Sequence, residues 1–190
     1  YALEHQLFTE FCPKMVVSEV KIARKLMKND SLFYEKLSFN THPSLCEEVY
    51  DGWLLRFAEG YTKRANSVNV VGKSTLPLEE KVAYCEEKYA EQNLPTVFKI
   101  TPMAAELDTL LEERGYSMVD TTNVMTVDLT KKQLLSADGK KEVSVTVEEA
   151  FTEAWQYYYF TFNKVSSLSV PTAKKIQAKI TNPVLCATVY

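Results

Sequence analysis

The chain has 190 residues, 46% hydrophobic and 12% aromatic, enough to bury a sizeable core in one large domain or one and a half small ones. Its 22 basic and 25 acidic residues are mixed along the sequence with a formal charge of −3 and no basic block, which argues against dedicated nucleic-acid binding. No run approaches the ~20 apolar residues of a membrane span and no charged-apolar-small pattern marks a signal peptide, so a cytoplasmic protein without a membrane partner is expected.

Residues 1–40 read as helical: Leu3, Leu7, Phe8 and Phe11 share a face, Pro13 interrupts, and Val16, Val20, Ala23 and Met27 continue at helical spacing. From Gly52 the period changes to two. Trp53, Leu55 and Phe57 alternate against Leu54, Arg56 and Ala58, which predicts a strand. A turn at Glu59-Gly60 leads to a second strand near Ala65 to Val71. After Pro77 the stripe Leu78, Val82, Cys85 and Tyr89 predicts a helix that Asn93 and Pro95 stop. Thr96 to Ile100 is a short strand. Thr101-Pro102 opens a helix with Met103, Leu107, Leu110 and Leu111 inward, and Gly115 stands where a left-handed cap belongs. Met118 to Leu129, rich in β-branched residues, predicts a long strand.

The polar stretch Thr130 to Lys141, with Asp138-Gly139 and two lysine pairs, is the best candidate for an interdomain linker or long hairpin. Beyond it Val143, Val145 and Val147 alternate as a strand, Glu148 to Asn163 is an aromatic-laden helix, Pro171 begins a helix using Ala173, Ile176 and Ile180, and Pro183 to Tyr190 is a strand. The chain begins at Tyr1 without Met and stops within the apolar run PVLCATVY, so a piece of a longer chain is expected.

Few segments carry recognisable chemistry. Cys12, Cys46, Cys85 and Cys186 are far apart and only His5 and His42 accompany them, so the paired spacings of a zinc site are missing and reduced thiols are expected. Gly72-Lys73-Ser74-Thr75 resembles the end of a phosphate loop, but the position that needs the first glycine is Ser67, and Pro77, Glu79 and Glu80 crowd the helix start. No nucleophile elbow is present, and His42 beside Pro43 reads as a surface-loop residue. The pairs Glu47-Glu48, Glu86-Glu87 and Glu112-Glu113 fan out as solvated faces. Arg56, Tyr61, Arg64, Asn66, Ser67 and Asn69 place many hydrogen-bonding groups in strand-like sequence. They make either a structural polar network at a sheet edge or a polar surface presented to a small ligand.

The segments DGWLLRFAEGYTKRANSVN, LEEKVAYCEEKYAEQNLP, VFKITP and LDTLLEERGY, in that order, resemble the N-terminal lobe of bacterial tandem proteins of the GNAT superfamily of acetyl-CoA-dependent N-acyltransferases. The resemblance covers roughly residues 41–129. It implies an α+β fold, a mixed and mostly antiparallel sheet flanked by helices. Three parts follow: an N-terminal helical segment at 1–40, a GNAT-like lobe at 41–135, and the beginning of a second lobe at 141–190. One departure stands out. Active lobes carry a Q/R-x-x-G-x-G/A loop whose N–H groups hold the coenzyme A pyrophosphate, whereas the corresponding Val71 to Glu80 (VGKSTLPLEE) lacks it.

The resemblance therefore implies an N-acetyltransferase acting on a small-molecule or peptide amine. Acetyl-CoA would be held by residues outside this chain, none would bind this chain alone, and the cofactor loop is expected beyond residue 190. Trp53, Arg56, Tyr61, Arg64, Asn66 and Asn69 are the candidates for acceptor or interlobe contacts. Up to two of Trp155, Tyr157, Tyr158, Tyr159, Phe160 and Phe162 would line an acceptor pocket, the others being core. The alternatives are a non-catalytic GNAT-like structural or ligand-recognition module, and a regulatory or dimerisation role for residues 1–40. The oligomeric state is not read from the sequence.

Overall fold

Asp51 and Gly52 both take positive φ, 40° and 78°, the left-handed pair that a two-residue type I′ turn needs. They join β1 (Cys46–Tyr50) to β2 (Trp53–Phe57) as an antiparallel hairpin, with Tyr50 opposite Trp53 and Cys46 opposite Phe57. A side chain at Gly52 would collide with the Lys73 carbonyl. The Gly52 carbonyl itself accepts the N–H groups of Val71 and Gly72 at 3.0 and 2.9 Å.

The computed structural model of the chain describes residues 31–102, 104–125 and 144–189. The expected faces at residues 1–30, the inward Met103 and the linker at Thr130 to Lys141 lie outside them. Residues 31–41 are helical (α1). After β2 comes β3 (Val68–Val70), antiparallel to it; then α2 (Leu78–Glu91); then β4 (Phe98–Lys99), parallel to β3, giving a sheet of order β1-β2-β3-β4. α2 is the crossover that a parallel pair requires. α3 (Ala105–Glu113) follows.

The alternation read in the sequence is the one that builds the core. Trp53, Leu55 and Phe57 of β2 point to one side and meet Val68 of β3, Val82, Cys85 and Tyr89 of α2, and Leu107 and Leu111 of α3. Each is at most 5% exposed, so this cluster removes nearly all its apolar surface from water, the dominant favourable contribution to folding. Both helices end as the sequence expects. Asn93 and Gly115 take φ of 56° and 85°; Leu94 and Tyr116 donate back to the Tyr89 and Leu111 carbonyls at 3.0 and 2.9 Å, and Asn93 and Gly115 to those of Ala90 and Glu112 at 2.9 and 3.0 Å, the paired hydrogen bonds of a Schellman motif.

The other face of β2 is also covered. Ala58 and Ala65 pack on Ile176 of α5 (Val170–Ala178), with Leu45 and Tyr61 beside them. α5 follows β5 (Val145–Glu148) and α4 (Glu153–Phe162) and precedes β6 (Cys186–Val189), which pairs antiparallel with β5. The fold is α+β, as expected.

Three expectations are corrected. Residues 118–125 form no strand: Met118, Val119 and Met125 are 88%, 71% and 72% exposed, and β-propensity counts only where a pleated surface is available to pack on. The expected second strand at Ala65 to Val71 is shorter, because Thr62 caps a 3₁₀ turn at Lys63–Ala65 that uses up its start. Finally, β1 precedes the strand that the alternation reveals. Its sequence, CEEVY, has two glutamates in five residues and is largely exposed, so hydrophobic period alone does not disclose it.

Candidate functional site

Arg56 has its side chain on the face of β2 opposite the main core, and it is 1% exposed. Its donors are spent within the chain: Nε on Glu47 at 3.3 Å, Nη1 on the Arg64 carbonyl at 2.8 Å and Nη2 on the His42 carbonyl at 2.7 Å, with Phe39 stacked 4.5 Å from the guanidinium carbon. Asn66 is 5% exposed and serves the Glu59-Gly60 turn. Its Oδ1 accepts the N–H groups of Ala58 and Gly60 at 2.6 and 3.1 Å, and its Nδ2 donates to the Thr62 carbonyl at 2.8 Å. Asn69, on β3, donates to the Ser67 carbonyl at 2.8 Å, and its Oδ1 has no partner among the described residues. Trp53 lies in the core under the Lys81 ammonium, 4.0 Å from its ring. Arg64 is exposed. Of the six candidates, Tyr61 is the one that reaches a cleft.

A second feature stands where the resemblance places a cofactor loop, between β3 and α2. The Asp51 carboxylate accepts the backbone N–H groups of Thr75 and Leu76, both at 2.9 Å from Oδ2, and the Thr75 hydroxyl at 2.7 Å. The Lys81 ammonium, fully buried on the first turn of α2, lies 3.2 Å from the same carboxylate and donates to the Asp51 carbonyl at 2.6 Å and to the Ser74 hydroxyl. Hydrogen bonds from Leu76 and Thr75, with Lys81 adding to them, hold the Asp51 carboxyl well below the ordinary range. These are the donors with which a loop and helix start bind an anion, and a carboxylate from the hairpin turn already occupies them.

The cleft has a volume of about 160 Å³ and lies where the end of α1 and the turn after β2 face the α4 and α5 segments. His42 and Tyr61 contribute from the loops before β1 and after β2, Phe151 and the stacked pair Trp155 and Tyr159 from the α4 segment, and Ile176, Gln177 and Ile180 from the α5 segment. The two stacked rings are one helical turn apart, with centroids 4.9 Å from each other at 14°. Gln156 bonds Gln177 at 2.8 Å and fixes α4 on α5. From the turn after β2, Glu59 accepts from Lys175 of α5 at 2.5 Å and from the Thr172 hydroxyl, and these two hold its carboxyl below the usual range.

The α4 aromatics divide differently from expectation. Trp155 and Tyr159 line the cleft and Phe160 is buried, but Tyr157, Tyr158 and Phe162 are 67%, 43% and 76% exposed rather than core. His42 lies in the loop between α1 and β1, as expected, but is not freely exposed there. It is partly buried, its Nε2 shares a 3.0 Å hydrogen bond with the Thr62 hydroxyl, and burial together with Arg64 and Arg56 lowers its pKa to about 4. The Asn66 and Arg56 networks place it there by fixing both flanking segments, which no short motif in the sequence encodes.

A pH dependence follows from His42. The unfolded chain takes up a proton near the ordinary 6.5 while the folded one resists until about 4. Stability is therefore complete above that upper value and falls as pH drops through the interval, by on the order of 2 kcal/mol once solvent screening is allowed for. Urea midpoints across the interval should slope in the native chain and be flatter in His42→Gln. An equal slope in both would remove His42 as the cause.

A family model described as "Probable histone acetyltransferase Rv0428c C-terminal" matches residues 34–182, more than three quarters of the chain. Neither the curated proteins nor the solved structures gave a match. Among the described residues no helix is long and apolar enough to cross a membrane, and no group of three His, Cys, Asp or Glu side chains could hold a metal ion. The matched span includes the Arg56 network, the Asp51 turn and every residue of the cleft, and on that extent the chain belongs to this acetyltransferase family.

Proposed function

We propose that the chain serves an acetyl-CoA-dependent N-acetyltransferase of the GNAT type and that the cleft between its lobes receives part of the amine acceptor. The family match over 34–182 carries this reading, and the cluster of partly exposed aromatic rings at the lobe junction supports the acceptor's location. Tyr61 would touch the acceptor. Arg56, Asn66, Trp53 and Asn69 would hold the walls, and Arg64 would meet solvent-borne parts of the substrate. We further place the protein in the cytoplasm, with an amine as partner and neither nucleic acid nor membrane.

The residues before α2 do not fit a coenzyme A pyrophosphate, because the Asp51 carboxylate already takes the donors that would bind it and would repel a second anion. No step of the reaction is assigned to that loop. His42, neutral and with so low a pKa, is a weak base toward an ammonium, so its contribution is to orient and not to deprotonate.

The test is release of free CoA thiol from acetyl-CoA by the native protein across a panel of primary amines. Trp155→Ala should raise the acceptor KM about tenfold with kcat little changed, the pattern of lost uniform binding. A native protein that releases no CoA with any amine sinks the enzymatic reading. One observation favours a second reading, a non-catalytic recognition module: no Q/R-x-x-G-x-G/A sequence occurs among the five glycines. Ligand binding at the cleft without CoA release would select it.

A further inference from the structure

The cleft's lining has a chemical bias that the family description does not specify. Tyr61, Phe151, Trp155 and Tyr159 give it four aromatic rings, Ile176 and Ile180 give it aliphatic wall, and its polar groups are neutral: the hydroxyls of Thr41, Tyr61 and Tyr159, a carboxamide and an uncharged imidazole. Among the described residues no carboxylate or ammonium lines it. The nearby Glu59 carboxylate is spent on Lys175 and Thr172. Behind His42 stand two guanidinium groups: Arg56, paired with Glu47, and Arg64, which has no ion pair among the described residues.

An ammonium entering this space would lose hydration and meet no anion among the described lining residues. Contact with the faces of partly exposed rings recovers only a fraction of that loss. An uncharged ring loses little and gains the whole apolar wall. The volume of about 160 Å³ is that of one six-membered ring, comparable to an engineered apolar cavity of ~150 Å³ that takes benzene.

We propose that the cleft binds an uncharged ring or ring-sized branched apolar group of the acceptor, and that it excludes the acceptor's ammonium, which stays outside. This rests on reading the cleft as the acceptor side. It narrows the acceptor class to amines whose nitrogen is separated from a bulky apolar group by a short chain, and it sets simple polyamines and small polar amines aside.

The test is binding without acetyl-CoA, using benzyl alcohol and benzylammonium as probes of equal size. The chain has two tryptophans, and Trp53 is 1% exposed, so the Trp155 indole N–H resonance reports on the cleft. Benzyl alcohol should shift that resonance saturably with a Kd in the millimolar range, as expected for about eight non-hydrogen atoms, and benzylammonium should bind at least about tenfold more weakly. Ile180→Trp, which fills the cleft from its edge, should abolish the shift. Should that variant not fold, Trp155→Leu, followed by the shift of the neighbouring Tyr159 ring, should weaken benzyl alcohol binding about fivefold or more. Benzylammonium binding as tightly as the alcohol, neither probe binding, or binding indifferent to these substitutions would each overturn the proposal. Because no acetyl transfer is measured, a protein that binds the alcohol but releases no CoA fails the enzymatic reading alone.

Discussion

Arg56→Met is expected to destabilise the fold by about 3 kcal/mol, lowering the urea midpoint by roughly 1–2 M at an ordinary m-value for a chain of this size. Methionine replaces the stem but none of the donors. The His42 and Arg64 carbonyls, now bonded to the guanidinium at 2.7 and 2.8 Å, would each lose a charge-assisted partner in a partly buried place, about 1 kcal/mol apiece. Phe39 would lose the cation on its face. Glu47 contributes less, because its side chain is 44% exposed and water replaces the lost partner. Arg56→Lys should recover only part of the loss, since one ammonium cannot span three acceptors that a planar fork reaches together. A variant with native stability but a raised acceptor KM would move Arg56 from wall to ligand contact.

What was legible in the sequence is what depends on near neighbours. The stripe Leu78, Val82, Cys85 and Tyr89 is the buried face of α2, and the stops at Asn93 and Gly115 work because their left-handed conformations are local choices. Trp53, Leu55 and Phe57 alternate into the core because their strand has a helix on that face. β1 was missed although the adjacent Asp51-Gly52 is among the strongest short-range hairpin signals. Reading that pair as a turn forces a partner strand on Cys46 to Tyr50.

The rest was illegible for a different reason. Asp51 meets Thr75 across 24 residues, and Glu59 meets Lys175 across 116. Such pairings are decided by tertiary placement, so each acid reads as an ordinary turn carboxylate until the fold exists. The polar residues from Arg56 to Asn69 are unusual for strand sequence, and their bonds give the reason: Arg56 on β2 completes two carbonyls, and Asn66, which lies just before β3, completes the Glu59-Gly60 turn. The cleft draws on Thr41, His42 and Tyr61 and on both helices beyond residue 150, so no continuous segment contains it; the i,i+4 spacing of Trp155 and Tyr159 is its one local trace.

Lys81→Met should cost about 3 kcal/mol, the lower part of the range for breaking a buried ion pair, because the Asp51 side chain left behind is still 13% exposed to water. Methionine keeps the stem on Trp53 but loses three bonded oxygens: the carboxylate, the Asp51 carbonyl and the Ser74 hydroxyl. Burial lowers the Lys81 pKa and Asp51 opposes that effect, so the ammonium persists only with its partner in place. Asp51→Asn should cost at least as much, since it leaves the fully buried Lys81 ammonium without a counter-charge although one carboxamide oxygen still accepts from Thr75 or Leu76, and combining both changes should cost less than the sum of the two. The acid limb distinguishes this pair from His42. A carboxyl whose folded pKa is depressed stabilises the fold above its unfolded value of 3.8 and loses that contribution as pH falls toward the folded value, a window below that of His42. Asp51→Asn should therefore flatten the stability profile below about pH 4 and leave the His42 slope intact. Strict additivity in the double variant, or an unchanged acid limb, would mean that the carboxylate lying across the start of α2 is incidental to the fold and not the internal anion on which this loop is built.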